Sequence, residues 1–182
     1  MAKGHALEEQ FGLSASEILE VIARNNRLLV AVKGGIAQEH LRRYLQRLAE
    51  REEIRDFRQI DQDGMPDFEI IFEGDSYLVE CKNVQKTMRN SEVTVDFMRT
   101  RYAKTQGPEG RFYAPSEFQV LAACLYNQTG RWDFRFISTS KLSRHPDHPD
   151  RLESKVSLGP SKPYFEHWTE DLVMALRSTG RP

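Results

Sequence analysis

The chain has 182 residues, enough to bury one substantial core, so we expect a single domain over residues 1–182. Its 26 Lys and Arg against 27 Asp and Glu leave a net charge of -1, which excludes an overall basic field for nucleic acid and allows only a local binding patch. Two cysteines in apolar segments suit buried thiols rather than a disulfide framework, and the lack of an apolar leader or of a run near ~18 apolar residues predicts a cytoplasmic protein without a membrane span.

The first predicted element is a helix over residues 14–25. Ser14 and, three residues later, Glu17 form the capping-box pattern that starts helices, and apolar residues then recur on one helical face. The next segment, RLLVAV at residues 27–32, is an almost unbroken apolar run. We interpret this run as a short strand or an extended link.

A second helix is predicted after Gly34 and Gly35. The stretch IAQEHLRRYLQRLAEREEI, residues 36–54, repeats apolar side chains at helical spacing with charged side chains between them. This pattern indicates an amphipathic helix that lays one face on the core.

The rest of the chain alternates strands and helices. Three short strands are predicted over residues 54–60, 67–73 and 76–82, and Glu73-Gly74-Asp75 forms a hairpin turn between the last two. The later predicted elements are a helix over 95–104, a central strand in FQVLAACLY, a neighbouring strand in WDFRFIST and a closing helix over 164–178. This order predicts an α/β fold with a mixed central sheet flanked by helices.

Charged residues mark the ends of the two hairpin strands. Glu80 and Lys82 lie two apart in a strand and therefore share a face, and the hairpin brings Asp67 next to them. Two carboxylates at one place repel each other unless a cation lies between them, and oxygen ligands favour Mg²⁺ or Mn²⁺. The Cys81 carbonyl is a further candidate ligand. A metal here suits phosphodiester hydrolysis, with Lys82 orienting water or stabilising negative charge.

Pro66-Asp67 and Glu80-Cys81-Lys82 resemble the motif of the PD-(D/E)XK nuclease superfamily. The resemblance implies that Asp67 and Glu80 bind a divalent metal and that Lys82 is catalytic. It also implies a further metal ligand on the preceding helix, for which KGGIAQEHL offers Glu39. The order of elements is similar to the superfamily's αβββαβ core, so we expect a restriction-endonuclease-like domain.

The same residues have simpler interpretations. Glu80 and Lys82 form a surface salt bridge in one of them, and Glu39 faces solvent while other glutamates compete for its role. The pair His145 and His148 has metal-like spacing, but it lies in a proline-rich segment that predicts a solvated loop.

Basic residues follow the candidate site and would neutralise phosphates without reading base sequence. The candidates for nucleic-acid binding are Lys86, Arg99, Arg101 and Lys104. A solvated helix face is the alternative interpretation of this segment.

The leading hypothesis is a Mg²⁺-dependent endonuclease that acts on DNA, with a role in restriction or another defence against foreign DNA. The resemblance also makes a homodimer or a larger nuclease complex an expected assembly, since double-strand cleavage by a single-site enzyme commonly uses two protomers. The alternatives are a repair or junction-resolving nuclease, a non-cleaving nucleic-acid-binding module of the same fold, and a purely structural domain.

Overall fold

A computed structural model of the protein describes residues 5–88, 92–99, 107–159 and 165–180. The chain divides into two compact units, residues 1–36 and 37–182, and each is described by itself. In the described ranges no helix has the length and apolar character needed to cross a membrane.

The first unit contains helices α1 (Ala6–Phe11) and α2 (Ala15–Arg24) and the beginning of α3 (Asn26–Glu50). The Ser14 hydroxyl accepts from the Glu17 backbone N–H, and the Glu17 carboxylate accepts from the Ser14 backbone N–H at 2.8 Å. This is the capping box that the sequence pattern indicates. Helix α1 starts with a similar reciprocal cap, between His5 and Glu8, that we did not predict.

Helix α3 runs without a break through the segment that we predicted to be extended, so that prediction is wrong. The missed signal is Asn25, whose side-chain oxygen accepts from the backbone N–H groups of Arg27 and Leu28 at 3.1 and 3.2 Å. This N-cap starts a helix just before the apolar run. Gly34 and Gly35 lie inside the helix, where glycine lowers stability but does not end the element.

The second unit is built on a mixed sheet. The strands in the described residues are β1 (Asp56–Gln59), β2 (Phe68–Phe72), β3 (Asp75–Asn83), β4 (Thr94–Asp96), β5 (Val120–Cys124), β6 (Phe134–Ser138) and β7 (Lys155–Ser157). Five of them form a sheet in the order β1-β2-β3-β5-β6, in which only β3 and β5 pair in parallel. The predicted α/β fold with a mixed central sheet flanked by helices is confirmed.

The hairpin between β2 and β3 closes through Glu73 and Gly74, which have φ angles of 49° and 94°. Positive φ at both central residues is the backbone of a type I′ turn, whose twist matches the flanking strands. The turn pairs Phe72 with Asp75 and, at the far end of β2, Phe68 with Val79. The register therefore places Asp67 beside Glu80.

Two apolar layers cover the central sheet. A short helix, α4 (Tyr126–Thr129), lies between β5 and β6 in the chain. On one face, Ala37, Leu41, Leu45 and Leu48 of α3 pack with the inward residues of β2 and β3 and with helix α5 (Leu172–Ser178). The other face packs against a second cluster that includes residues of β4 and β7, the two strands of a small separate sheet. Every residue of β5 is buried, as expected for a strand covered on both faces.

Two predicted helices differ in the structure. The helix predicted over 95–104 is wrong at its start, because Val95 lies in β4 and pairs with Val156 of β7. Val95 and Phe97 are buried and Asp96 is partly exposed. This alternation has the period of two that is typical of a strand, not the period of a helix. Residues 100–106 lie outside the described ranges. The helix predicted over 164–178 begins late, since α5 starts at Leu172 behind the N-cap Asp171.

Replacing Gly34 or Gly35 with Ala should stabilise the protein by about 0.5–1 kcal/mol each, because both lie in a helix and a Cβ meets nothing within 4 Å. Gly74→Ala is the matched control and should destabilise, since a φ of 94° strains any L residue. Urea unfolding followed by circular dichroism measures all three. A loss of stability in both α3 variants would contradict a continuous helix.

Candidate active site

The hairpin register brings the carboxylate of Asp67 onto strand β3. Asp67 follows Pro66 and precedes β2, and its Oδ2 accepts from the backbone N–H of Cys81 at 2.7 Å. Glu80 and Lys82 lie on either side of Cys81, and the Lys82 ammonium forms an ion pair with Glu80 Oε1. The structure thus brings Asp67, Glu80 and Lys82 together.

Glu80 is the most constrained member of this cluster. Its side chain is only 2% exposed, and Oε1 also accepts from the hydroxyl of Tyr113 at 2.8 Å. Its second oxygen, Oε2, is buried, and no donor among the described residues reaches it. A buried carboxylate oxygen without a hydrogen-bond partner costs free energy unless a ligand satisfies it.

The charges of the cluster shift one another. Burial, and then the Glu80 carboxylate, raise the pKa of Asp67 to about 6, although Lys82 and the Cys81 N–H act in the opposite direction. For Lys82, burial lowers the pKa, but Glu80 and Asp67 outweigh it and the net shift is upward. Lys82 is therefore a cation at neutral pH.

Tyr113 is a site residue that the sequence analysis missed. Phe97 and Phe118 surround its ring, and the Arg99 guanidinium lies 4.5 Å from the ring centroid. Burial and the neighbouring Glu80 raise the pKa of the Tyr113 hydroxyl, so it remains a hydrogen-bond donor. Tyr113 comes from a Gly/Pro-rich loop 33 residues after Glu80, where no periodic pattern points to the site.

Helix α3 contributes Gln38 to the site. The Gln38 side-chain amide donates from Nε2 to Asp67 Oδ1 at 2.6 Å. Glu39, the predicted ligand, instead accepts from Arg42 and Arg43 at 2.7 and 2.8 Å, and these hydrogen bonds hold its pKa well below the usual range.

The helical period explains this difference. Successive residues turn by about 100°, so position 39 lies about 200° from both Ala37 and Leu41, which face the core. Gln38 lies on the edge of that core face. Periodicity in the sequence identifies the helix, whereas Glu39, the neighbour of Gln38, is indicated by the resemblance to the nuclease superfamily.

The donor atoms in the cluster fit a hard divalent cation. In the described part of the chain no three His, Cys, Asp or Glu side chains group together as a metal site. Two carboxylates are nevertheless oxygen donors that Mg²⁺ accepts, because this ion commonly keeps several waters. Glu80 Oε2, which no group among the described residues satisfies, is the observation that favours such a cation, since a cation would satisfy it.

The other predicted residues have varied positions. Lys86 is exposed in the loop after β3, which Gln128 holds by donating to the backbone carbonyls of residues 85 and 86. Arg99, a predicted contact for nucleic acid, has a side chain that is 10% exposed and forms an ion pair with Glu117. Arg101 and Lys104 lie outside the described residues.

The histidines and cysteines take packing roles. His145 and His148 lie in the predicted loop, and both contact the ring of Phe112. Cys81 and Cys124 are free and buried, and burial raises the pKa of both thiols.

Comparison with known proteins identifies a nuclease of similar fold. No protein-family model matches the sequence, and no curated protein matches it. Among solved structures, the bacterial homing endonuclease I-Ssp6803I is similar, with a TM-score of 0.54 and 16% sequence identity over 82% of this chain and 95% of that chain. At this identity the likeness concerns the fold alone: the chain has a fold that a nuclease also has.

Asp67→Asn should stabilise the metal-free protein at pH 7 by on the order of 2 kcal/mol. The folded-state pKa of about 6 exceeds the ordinary value of 3.8, so the wild type loses stability as the pH rises from about 4 to 6. Asn removes that loss and keeps an acceptor for the Cys81 N–H. Thermal unfolding in EDTA across pH 4–8 measures the effect. The gain should vanish near pH 4, and equal stabilities at pH 7 would contradict the raised pKa.

Proposed function

We propose that the protein is a metal-dependent endonuclease that hydrolyses phosphodiester bonds of DNA. The observation that supports this most strongly is the buried Glu80, which lies in one cluster with Asp67 and a charged Lys82 and whose Oε2 has no hydrogen-bond partner within the described ranges. The fold that the chain has in common with a homing endonuclease supports it independently.

In this proposal Asp67 and Glu80 hold the metal, together with the Cys81 carbonyl. Gln38 joins them: its amide donates to Asp67 without metal, and a half-turn of the amide offers its oxygen instead. Mg²⁺, or Mn²⁺ in its place, supplies Lewis-acid charge toward a phosphoryl oxygen and lowers the pKa of a bound water.

Lys82 acts through its positive charge. Because its pKa is raised, its ammonium stabilises negative charge on the phosphoryl group or orients the attacking water, and it does not serve as a general base at neutral pH. The Tyr113 hydroxyl keeps the Glu80 carboxylate oriented, with Oε1 occupied and Oε2 available. In this proposal Tyr113 therefore positions the carboxylate, and Glu80 binds the metal.

Substrate contact is proposed for basic residues that follow the site in the sequence. Lys86 is exposed and suits a phosphate, and Arg101 and Lys104 remain proposals from the sequence. For Arg99, contact with DNA would require its ion pair with Glu117 to open. The biological setting that we propose is restriction or another defence against foreign DNA.

Two adjacent residues on α3 give a sharp test of the metal site. Gln38→Ala should weaken Mn²⁺ binding several-fold, and Asp67→Asn or Glu80→Gln should weaken it at least tenfold, because each removes an oxygen ligand. Glu39→Ala is the matched control and should bind as the wild type does, since its carboxylate pairs with Arg42 and Arg43. Isothermal titration calorimetry measures the affinities. Loss of Mn²⁺ binding in Glu39→Ala, with unchanged binding in Gln38→Ala, would indicate that Glu39 and not Gln38 is the metal ligand on α3.

Lys82→Ala should slow DNA cleavage by roughly 10²–10³-fold, the usual effect of removing one group that stabilises transition-state charge. Supercoiled plasmid, linear duplex and single-stranded DNA are incubated with Mg²⁺ or Mn²⁺, with EDTA as the metal-free control. Lys86→Ala is the control variant and should raise KM in a salt-dependent way while kcat stays near the wild-type value.

Three outcomes of this assay would count against the proposal. Cleavage in EDTA would exclude a required metal, and full activity in Lys82→Ala would exclude the proposed site. Mn²⁺ binding without cleavage of any substrate would indicate a non-cleaving module of the same fold.

A further inference from the structure

Residues 5–36 display apolar side chains to solvent to an unusual extent. None of these residues is buried. Three large apolar side chains, Phe11, Leu19 and Val30, are 53%, 65% and 61% exposed. Five more exceed a third exposure: Leu7, Leu13, Val21, Leu28 and Ile36. Single exposed apolar residues are common, but a group of eight within 32 residues indicates an interaction surface.

The beginning of α3 gives the clearest sign. Residues 28–32 read LLVAV, and five successive helical positions cover every side of the helix. A helix that is apolar all round is normally buried. The apolar run predicts a short strand or an extended link at these residues. In the structure they are helical, and their side chains are partly or fully exposed.

The short helices before α3 also need a partner. Helices α1 and α2 have six and ten residues, and isolated helices below about 12 residues are marginal in water even with good caps. Neither helix contains a buried residue. Their persistence therefore depends on burial of their apolar faces against another surface.

The charges of this unit favour a copy of itself as that surface. Along residues 5–36 the acidic side chains come first and the basic ones follow: Glu8, Glu9, Glu17 and Glu20, then Arg24, Arg27 and Lys33. In a two-fold interface each contact occurs twice, so a segment whose acids precede its bases along the chain is complementary to a second copy that runs antiparallel to it. A membrane or nucleic acid would select a basic face, and four carboxylates against three bases do not provide one.

We propose that residues 5–36 form the interface of a homodimer in which two copies of this chain pair about a two-fold axis. The exposed fractions of the eight apolar side chains set an upper limit of roughly 600 Å² of apolar area per protomer, to which polar side chains of the same unit would add to reach the ~800 Å² per partner of a standard interface. The interface stands on the exposure and charge of this unit and does not depend on the proposed nuclease activity.

Mass measurement by light scattering and sedimentation tests the apolar contact. The wild type, with a chain mass of 21.1 kDa, should sediment as a dimer at micromolar concentration. Leu19→Glu with Val30→Glu should raise the dimer dissociation constant at least tenfold, with the far-UV circular dichroism spectrum of the protein retained. Met174→Glu is the matched control, because Met174 is 60% exposed but lies on α5, and it should remain dimeric.

A pair of charge reversals tests the identity of the partner. Glu9→Arg with Glu20→Arg makes the unit entirely basic apart from two capping glutamates, and Arg24→Glu with Arg27→Glu makes it nearly entirely acidic. Each variant alone should dissociate because like charges face each other. An equimolar mixture should restore a dimer that contains one copy of each, since both sets of opposite charges then meet.

The proposal fails if the wild type remains monomeric at about 100 micromolar, because an interface with a micromolar dissociation constant would be mostly dimeric at that concentration. It also fails if the two charge variants do not combine, which would indicate that these side chains meet another part of the same chain or a different protein. Circular dichroism of each variant ensures that loss of folding is not taken for dissociation.

Discussion

The register of the hairpin between β2 and β3 is the constraint on which the candidate site depends. The two-residue turn at Glu73 and Gly74 pairs Phe68 with Val79, and Asp67 follows beside Glu80. A slip of one residue would turn Glu80 and Lys82 to the opposite face of the sheet, where Cys81 now packs in the core. The buried apolar residues on both strands oppose such a slip. Packing of the core and placement of the charged groups are therefore set by the same contacts.

Burial of Glu80 has opposite consequences for folding and for chemistry. A carboxylate 2% exposed loses its hydration, and in the described part of the chain Lys82 and Tyr113 are the groups that compensate for that loss. The adjacent carboxyl group of Asp67 also loses hydration, and this burial is the main reason why its pKa rises to about 6. The same low polarity strengthens every electrostatic interaction with a cation or a phosphate. A site of this kind lowers the stability of the empty protein and raises its affinity for what it binds.

What the sequence could predict here follows from periodicity. The hairpin, its turn and the convergence of Asp67 with Glu80 follow from period-two alternation and turn chemistry, which are local. Gln38 and Tyr113 could not be found this way, because a helical pattern identifies the core face but not which of its two edges meets the sheet, and Tyr113 arrives from an irregular loop. The run LLVAV misled the prediction because an apolar run fits both a strand and a covered helix, and Asn25 decides for the helix.

A glutamine on α3 has a physical advantage over the glutamate that we expected there. Asp67 and Glu80 already repel each other, and Lys82 offsets one of the two charges. A third carboxylate would increase that repulsion in the metal-free protein, whereas the neutral amide of Gln38 donates a hydrogen bond to Asp67 and lowers it. Under the proposed function, the site would bind a divalent cation less tightly than three carboxylates would, because it carries fewer negative charges. Phosphate groups of a substrate would then add to the affinity for the cation, and metal and nucleic acid would bind more strongly together than either does alone.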